Sequence, residues 1–202
     1  MAGKGLRVTA GEAKGRRLVL PPRTQTRPTS AKLRAAVFSS LAGVEGLRVA
    51  DLYAGSGVLG IEALSRGAAS ATFVESNRDI AGLIGRNLEA ASFAGRGTVV
   101  VDRVERFISR GQRFDLILAD PPYGQADLES LVRGAVLILA DGGRLVLEHS
   151  SRQAPPPAPS GASLLVARAH GDSAFAIYRR FGTSEESGDS RWYNPPSDSG
   201  AV

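Results

Sequence analysis

Two short stretches of this chain hold residue types that could do chemistry. The first is Asp51-Leu52-Tyr53-Ala54-Gly55-Ser56-Gly57-Val58-Leu59-Gly60. Glycines let a backbone approach a ligand closely, and a helix that starts there offers unsatisfied N–H donors. Gly55, Gly57 and Gly60 satisfy the G-x-G-x-x-G spacing, and Glu75 lies 20 residues beyond Gly55, at the end of the next apolar run. By spacing alone this is a nucleotide-type cradle, equally a dinucleotide fingerprint, and a plain glycine turn would look the same. The second stretch is Asp120-Pro121-Pro122-Tyr123. Consecutive prolines fix backbone torsions, so the Asp120 carboxylate and the Pro121 carbonyl become a rigid pair of acceptors beside the flat ring of Tyr123. The amine of a nucleobase is a poor nucleophile because its lone pair is delocalised into the ring. Two acceptors on its N–H bonds would favour a pyramidal nitrogen and turn that lone pair toward an electrophile. The bland reading of the tetrapeptide is a strand-ending turn, since Asp-Pro pairs often start turns.

Both stretches need elements to position them. From Leu47 the pattern alternates between β and α. Short apolar runs at Leu47–Tyr53, Ala71–Glu75, Thr98–Val101, Phe114–Asp120 and Arg144–Glu148 read as strands buried on both faces. Helical spacing links Leu59 to Arg66, Ile80 to Leu88, Val104 to Ser109 and Leu128 to Leu139. Strands alternating with crossover helices predict a doubly wound α/β sheet, mostly parallel, with ligands at the carboxyl edge. Gln153–Gly161 contains four prolines and is a loop. Leu164–Arg168 and Phe175–Phe181 flank His170-Gly171-Asp172-Ser173 and predict a C-terminal antiparallel hairpin.

Ahead of this region, Leu6–Ala10 and Arg17–Leu20 predict a small N-terminal β-hairpin. A helix follows it, capped by Thr29 or Ser30, with Leu33, Val37, Phe38 and Leu41 on its apolar side and Arg34 on the other. The expected division is therefore residues 1–43 as a basic hairpin-and-helix extension, 44–181 as the α/β domain and 182–202 as a disordered polar tail.

The 202 residues carry a net charge of +5, but nine bases and one acid fall within Met1–Arg34, leaving the remainder slightly acidic. Such an arm is the electrostatic footprint of a polyanion contact, or else a solvated basic tail. There is no cysteine, which excludes thiol redox chemistry, disulfides and thiolate metal sites. No apolar run approaches the length of a bilayer span, so a cytoplasmic protein without a membrane partner is expected. His149 and His170 are isolated, so no metal is expected. His149 beside Glu148 could line a target pocket, and is more simply a strand-end residue.

At these residues a family resemblance becomes visible. Asp51–Gly60 resembles the first motif of S-adenosylmethionine-dependent methyltransferases. Asp120–Tyr123 resembles the (Asn/Asp)-Pro-Pro-aromatic motif of those that methylate exocyclic amines of bases. Gly11, Gly15-Arg16-Arg17-Leu18, Arg27-Pro28-Thr29, Arg34, Leu64-Ser65-Arg66-Gly67-Ala68 and Gly171-Asp172 extend this to bacterial 16S rRNA guanine-N2 methyltransferases of the RsmD type, over about Leu6–Phe181. The resemblance implies a Rossmann-like methyltransferase sheet and S-adenosylmethionine as methyl donor. Asp51, Tyr53, Gly55 and Gly57 would line its methionine end, Ser56 would belong to the same cofactor site, Glu75 would accept from its ribose, and Asp102 would lie near its adenine amine. Asp120, Pro121, Pro122 and Tyr123 would hold the target guanine for in-line displacement of the sulfonium methyl. Arg16, Arg17, Arg23, Arg27, Thr29 and Arg34 would hold 16S rRNA, within the 30S subunit or an assembly intermediate, with the protein acting as a monomer. In this family glutamate usually follows the helix arginine, whereas Ala35 follows Arg34 here.

Three other readings fit parts of the pattern. An NAD-dependent oxidoreductase fits the glycine spacing and Glu75, although it gives no reason for Asp-Pro-Pro-Tyr beside a basic arm. An adenine-N6 methyltransferase of DNA or RNA fits Asp-Pro-Pro-Tyr equally well. A non-catalytic RNA-binding assembly factor fits the arm alone.

Overall fold

The computed structural model describes residues 6–21, 30–122, 124 and 126–182. Arg23, Arg27, Thr29, Tyr123 and residues 183–202 lie outside the described residues, so the expectations placed on them have no structural counterpart here.

In chain order the elements are β1 (Leu6–Arg7), β2 (Arg17–Leu18), α1 (Ala31–Ser40), β3 (Arg48–Leu52), α2 (Val58–Ser65), β4 (Ser70–Glu75), α3 (Arg78–Ala90), β5 (Gly97–Val101), α4 (Val104–Ile108), β6 (Phe114–Ala119), α5 (Leu128–Leu137), β7 (Leu139–Ser150), β8 (Ala162–His170) and β9 (Ser173–Arg180). β1 and β2 form a separate antiparallel pair. The other seven strands form one sheet in the order β5-β4-β3-β6-β7-β9-β8. β3 to β7 run parallel, while β9 is antiparallel to both β7 and β8. The chain steps outward from β3 through β4 to β5, then returns to lay β6 on the other side of β3. The reversal leaves a crevice between the carboxyl ends of β3 and β6, the switch point where open α/β sheets take ligands.

The sheet is buried on both faces, as its apolar strands require. Leu116, Leu118 and Val146 face one core, with α1, α2 and α3; Ile117, Leu145 and Leu147 face the other, with α4 and α5. The helix starts follow local chemistry. Asn77 accepts N–H bonds from Asp79 and Ile80 at the start of α3, and Asp127 accepts from Ser130 at the start of α5. Ser30 is the cap of α1, its hydroxyl accepting from the Leu33 N–H at 3.1 Å. The turn from β8 to β9 has Gly171 at φ +65°, a conformation that glycine adopts without strain.

Strand β7 starts earlier than the expected Arg144. It begins at Leu139 and shifts register against β6 between Phe114 and Leu116, so Ala140-Asp141-Gly142-Gly143 is a bulge inside a strand and not a turn before one. A Cβ on Gly143 would meet the Ala140 carbonyl oxygen at 2.8 Å, which fixes glycine there.

The N-terminal extension shares a core with the sheet: Val8, Ala13, Leu18, Leu33, Val37 and Phe38 pack with α2 and α3. Among the described residues no helix is long and apolar enough to cross a membrane.

Candidate active site

β3 ends in Asp51-Leu52 and hands over to a loop that is bent at every step. Tyr53 has φ +57°, Gly55 +55° and Gly57 +76°, and α2 starts directly after Gly57 without a side-chain cap. A Cβ on Gly57 would meet Ile84 at 3.0 Å and Phe73 at 3.3 Å; one on Gly60 would meet Phe73 at 2.4 Å and Asp51 Oδ2 at 3.1 Å. The glycines therefore let the loop sink against β4 and α3, leaving its outer face open.

Three carboxylates converge on this loop. Glu75, at the end of β4, accepts the Gly55 N–H at 3.0 Å through Oε2 and the Asn77 N–H at 2.8 Å through Oε1. Asp120 follows β6, and its N–H donates to the Leu52 carbonyl at 3.5 Å, which ties the clamp to the end of β3. Asp51 is 1% exposed and accepts the Gly60 N–H at 2.8 Å. Through Oδ2 it holds the turn and so shapes the loop from behind. Ser56 is buried as well.

Burial pushes the Asp51 carboxyl well above the usual carboxylate range; the Gly60 N–H works in the opposite direction, and the charges of Asp120 and Glu75 raise it further. The folded state thus holds this proton more tightly than the unfolded chain does. Its stabilising contribution is complete below the ordinary carboxylate range and is lost as pH rises from that range toward the raised value. Asp51→Asn keeps an oxygen for the Gly60 N–H and removes the charge. We expect its Tm at pH 7 to exceed wild type by about 3 °C or more, the shift that ~1 kcal/mol produces in a domain of this size. The gap should close near pH ~3.5, where aspartate is itself neutral. Calorimetry at both pH values checks this, and a gap unchanged by acidification would contradict it.

Tyr53 is half-buried, its hydroxyl 3.4 Å from Glu105 Oε1, and burial together with Glu105 pushes its phenol up to about 12. Pro121 is buried and Pro122 half-buried, so the rigid half of the clamp is packed in place. Asp102, after β5, accepts from the Arg103 N–H at 2.9 Å and pairs with Arg106 and Arg110. An adenine amine at this position would share the carboxylate with two arginines.

The basic arm divides. Arg16 and Arg17 are exposed on the β1–β2 hairpin. Arg34 is 1% exposed, which corrects the expectation that it projects from α1 toward RNA. Its Nη2 donates to the Arg7 carbonyl at 2.8 Å, and Glu62 and Glu148 are its electrostatic neighbours. The helical spacing 34, 37, 38, 41 places it on the same face as Val37, Phe38 and Leu41. Ala35, which follows Arg34, is exposed on α1. His149 is 2% exposed, with Nδ1 2.9 Å from the Ser150 carbonyl, and by alternation it faces the core of Leu147 and not the face of Asp120.

Three polar residues that sequence reasoning missed fasten the extension. Glu62 and Ser65 of α2 take the backbone of Thr9, Ala10 and Ala13, and a Cβ on Gly11 would stand 1.8 Å from the Ser65 carbonyl oxygen. Asn87 of α3, fully buried, accepts the Val19 N–H at 2.8 Å and donates to the Val19 carbonyl at 3.0 Å and the Ser56 carbonyl at 2.9 Å. The arm and the glycine loop thus share one amide. Leu64-Ser65-Arg66-Gly67-Ala68 was the available signal, as Arg66 also reaches the Thr9 hydroxyl at 3.2 Å and lies 4.8 Å over the Phe38 ring.

A separate cavity of about 400 Å³ opens at the amino-terminal edge of the sheet, between Leu41, Glu45, Asp115, Asp141 and Arg144. None of the candidate site residues lines it. Among the described residues no group of three or more His, Asp or Glu is placed to hold a metal ion.

A Rossmann-like sheet with this strand order, finished by β9 inserted antiparallel beside β7, is the fold of S-adenosylmethionine-dependent methyltransferases, and this chain is one of them. Within that class the chain belongs to the family described as conserved hypothetical protein 95, whose family model matches residues 6–179. It is 32% identical over 196 residues to the ribosomal RNA small subunit methyltransferase D of Escherichia coli K12, covering 93% of this chain and 97% of that one. The solved structure of the Escherichia coli protein yhhF superposes with a TM-score of 0.77 at 30% identity, over 88% of this chain and 98% of that one. A hypothetical protein of Thermus thermophilus superposes with a TM-score of 0.72 at 28% identity, over 85% and 98%.

The residues present fit this cofactor. The Glu75 carboxylate offers about four lone-pair sites, of which the two backbone N–H groups use two, leaving acceptors for a pair of ribose hydroxyls. At Gly55 no side chain comes within 4 Å of the place a Cβ would occupy, so the backbone there is open to a ligand. The carboxylates of Glu75 and Asp120 suit a cationic donor and oppose a pyrophosphate, which argues against NAD in the same crevice.

Proposed function

We propose that this protein moves the methyl group of S-adenosylmethionine to the exocyclic N2 amine of one guanine in the 16S rRNA of the small ribosomal subunit. The observation that carries the reading is the tie between clamp and cradle: the Asp120 N–H bonded to the Leu52 carbonyl sets the Asp-Pro-Pro acceptors at the same switch point as the glycine loop. The relative from Escherichia coli, named for small-subunit ribosomal RNA, supports the choice of substrate.

When bound, the cofactor supplies a methyl group already activated on a sulfonium centre. The work left to the protein is positioning and proton management. Gly55 and Gly57 let the loop backbone approach the donor, and Glu75 receives its ribose hydroxyls. The Asp120 carboxylate and the Pro121 carbonyl each accept an N–H of the target amine and turn its lone pair out of conjugation. As the amine loses its proton, the Asp120 carboxylate receives it. Pro122 keeps these acceptors rigid, and Tyr123 stacks on the base. The target guanine leaves its stack to enter the crevice.

Arg16, Arg17, Arg23 and Arg27, with Thr29, hold the phosphate backbone, so affinity for RNA falls with salt. Arg34 has no part in that contact. In this reading residues 1–43 place the RNA, residues 44–181 carry the reaction, and the protein acts as a cytoplasmic monomer on the 30S subunit or an assembly intermediate.

The test is transfer of labelled methyl from S-adenosylmethionine to naked 16S rRNA and to 30S particles, followed by mapping of the modified nucleotide. We expect label on N2 of a single guanine. Label on adenine N6, or no transfer to either RNA by protein that binds the cofactor, would overturn the reading.

A further inference from the structure

The last paired residues of β6 and β7 are Ala119 and Leu147, so Asp120 and Glu148 follow side by side on adjoining strands. Side chains alternate along a strand, which puts both acids on the face of Leu118 and Val146, under α1, and leaves Ala119 and Leu147 to the opposite core. The partner of Glu148 across β9 is Phe175, which packs in the α1 core as well. Glu148 is 5% exposed, and it stands beside the clamp on the face that Asp51 and Asp120 share with the apolar side chains of that core. Its electrostatic neighbour is the equally buried Arg34, anchored by the Arg7 carbonyl. A carboxylate is costly to bury unless it is paired or put to use.

We infer that Glu148 is the specificity residue of the target pocket, its carboxylate held by Arg34 and accepting the N1–H of the guanine whose N2 amine occupies the Asp120–Pro121 acceptors. This rests on the guanine-N2 reading above and supplies what the clamp alone lacks. Asp-Pro-Pro-aromatic grips any exocyclic amine. In guanine the ring position next to the reactive amine is an N–H donor, whereas in adenine it is a lone pair. A carboxylate on the neighbouring strand accepts from the first and repels the second, so adenine would enter only with two acceptors facing each other away from water. Arg34 then serves the base and not the phosphate backbone, which accounts for an arginine buried in a helix that otherwise shows only apolar residues to the sheet.

The probe is a 30S particle reconstituted with 16S rRNA carrying either guanosine or 2,6-diaminopurine riboside at the mapped nucleotide. The analogue keeps the N2 amine but has a lone pair at N1. We expect wild type to methylate guanosine faster by about 30-fold or more, the scale set by leaving one buried acceptor without its donor. In Glu148→Gln the carboxamide can donate to that lone pair, and the preference should shrink to within about threefold. Glu148→Asp keeps the charge one methylene further back; it should slow guanosine about tenfold while retaining most of the preference. Melting curves confirm that each variant is folded, and should Glu148→Gln not fold, the wild-type ratio and Glu148→Asp still decide. A folded Glu148→Gln that discriminates like wild type, or a wild type indifferent to the analogue, would overturn the inference. A wild type inactive on guanosine itself would overturn the underlying reading and this inference with it.

Discussion

Asp120→Ala should lower the single-turnover rate of methyl transfer by about a thousandfold or more, because in the proposed mechanism it removes both an acceptor that orients the amine and the group that receives its proton. Asp120→Asn is the informative intermediate. Its amide oxygen still accepts one N–H, so orientation partly survives while the proton acceptor is gone, and a loss of roughly 10²-fold is expected. Neither change should impair folding. Asp120 is half-buried on the surface of the crevice, and its charge is one of the influences that burden the buried Asp51 carboxyl. Removing that charge relieves the fold, so the melting temperature should hold or rise slightly. Binding of S-adenosylhomocysteine, which lacks the transferred methyl, should stay within about threefold, because Glu75 and the glycine loop hold the donor from the other side of the switch point. Quenched-flow transfer with labelled donor and calorimetric titration of the product together separate chemistry from binding. An Asp120→Ala protein within tenfold of the wild-type rate would remove the clamp from the mechanism.

The parts of the site that could be read from sequence are those set by local pattern. β3, β4 and β6 are short apolar runs that stop at Tyr53, Glu75 and Asp120, and a parallel sheet buried on both faces leaves such runs few other fates. The order of glycine loop, acid and Asp-Pro-Pro along the chain then places all three at one carboxyl edge. The parts that escaped are set by partners distant in sequence. Arg34 carries the most polar side chain of its helix and looks like a solvent residue until the backbone of Arg7 and the carboxylates of Glu62 and Glu148 arrive around it. Asn87 lies within a helix of ordinary amphipathic pattern, and only the approach of Val19 and Ser56 gives its amide three bonds. Asp51 was legible as a loop residue, but its direction was not. Whether it faces the ligand or the turn depends on Gly60 coming within 2.8 Å of its oxygen, and that follows from the tight seat of Gly60 against Phe73. The bulge in β7 escaped for a related reason, since Asp141-Gly142-Gly143 has turn composition and only the paired edge of β6 holds it within a strand.

Glu62 and Asp51 are both buried acids in or beside the same loop-and-helix unit, and the same neutralising change should act on them with opposite signs. Asp51 accepts one backbone N–H and faces two other carboxylates, so losing its charge helps. Glu62 is surrounded by donors. Its carboxylate takes the Thr9 N–H at 2.8 Å, the Thr9 hydroxyl at 2.6 Å, the Ala10 N–H at 3.1 Å and Arg66 Nε at 2.9 Å, with Arg34 as a further cationic neighbour. Glu62→Ala strands two backbone N–H groups and leaves buried guanidinium charge without its counterpart, which should cost about 3–5 kcal/mol. In a domain of this size that is a fall in Tm of roughly 6–20 °C. Glu62→Gln keeps the shape but turns an NH₂ toward a site where the Thr9 hydroxyl alone can accept and the other partners are donors, so it should still cost ~2 kcal/mol or more. Because the lost bonds belong to Thr9 and Ala10, opening should begin in the extension. Limited proteolysis of Glu62→Gln should therefore cut ahead of α1 before it cuts the sheet, and RNA affinity should drop while cofactor affinity holds. Urea and thermal melts of the two neutral variants side by side provide the check. If Glu62→Gln melts within about 1 °C of wild type, the extension is not fastened through this carboxylate, and the RNA-placing role given to the arm loses its structural basis.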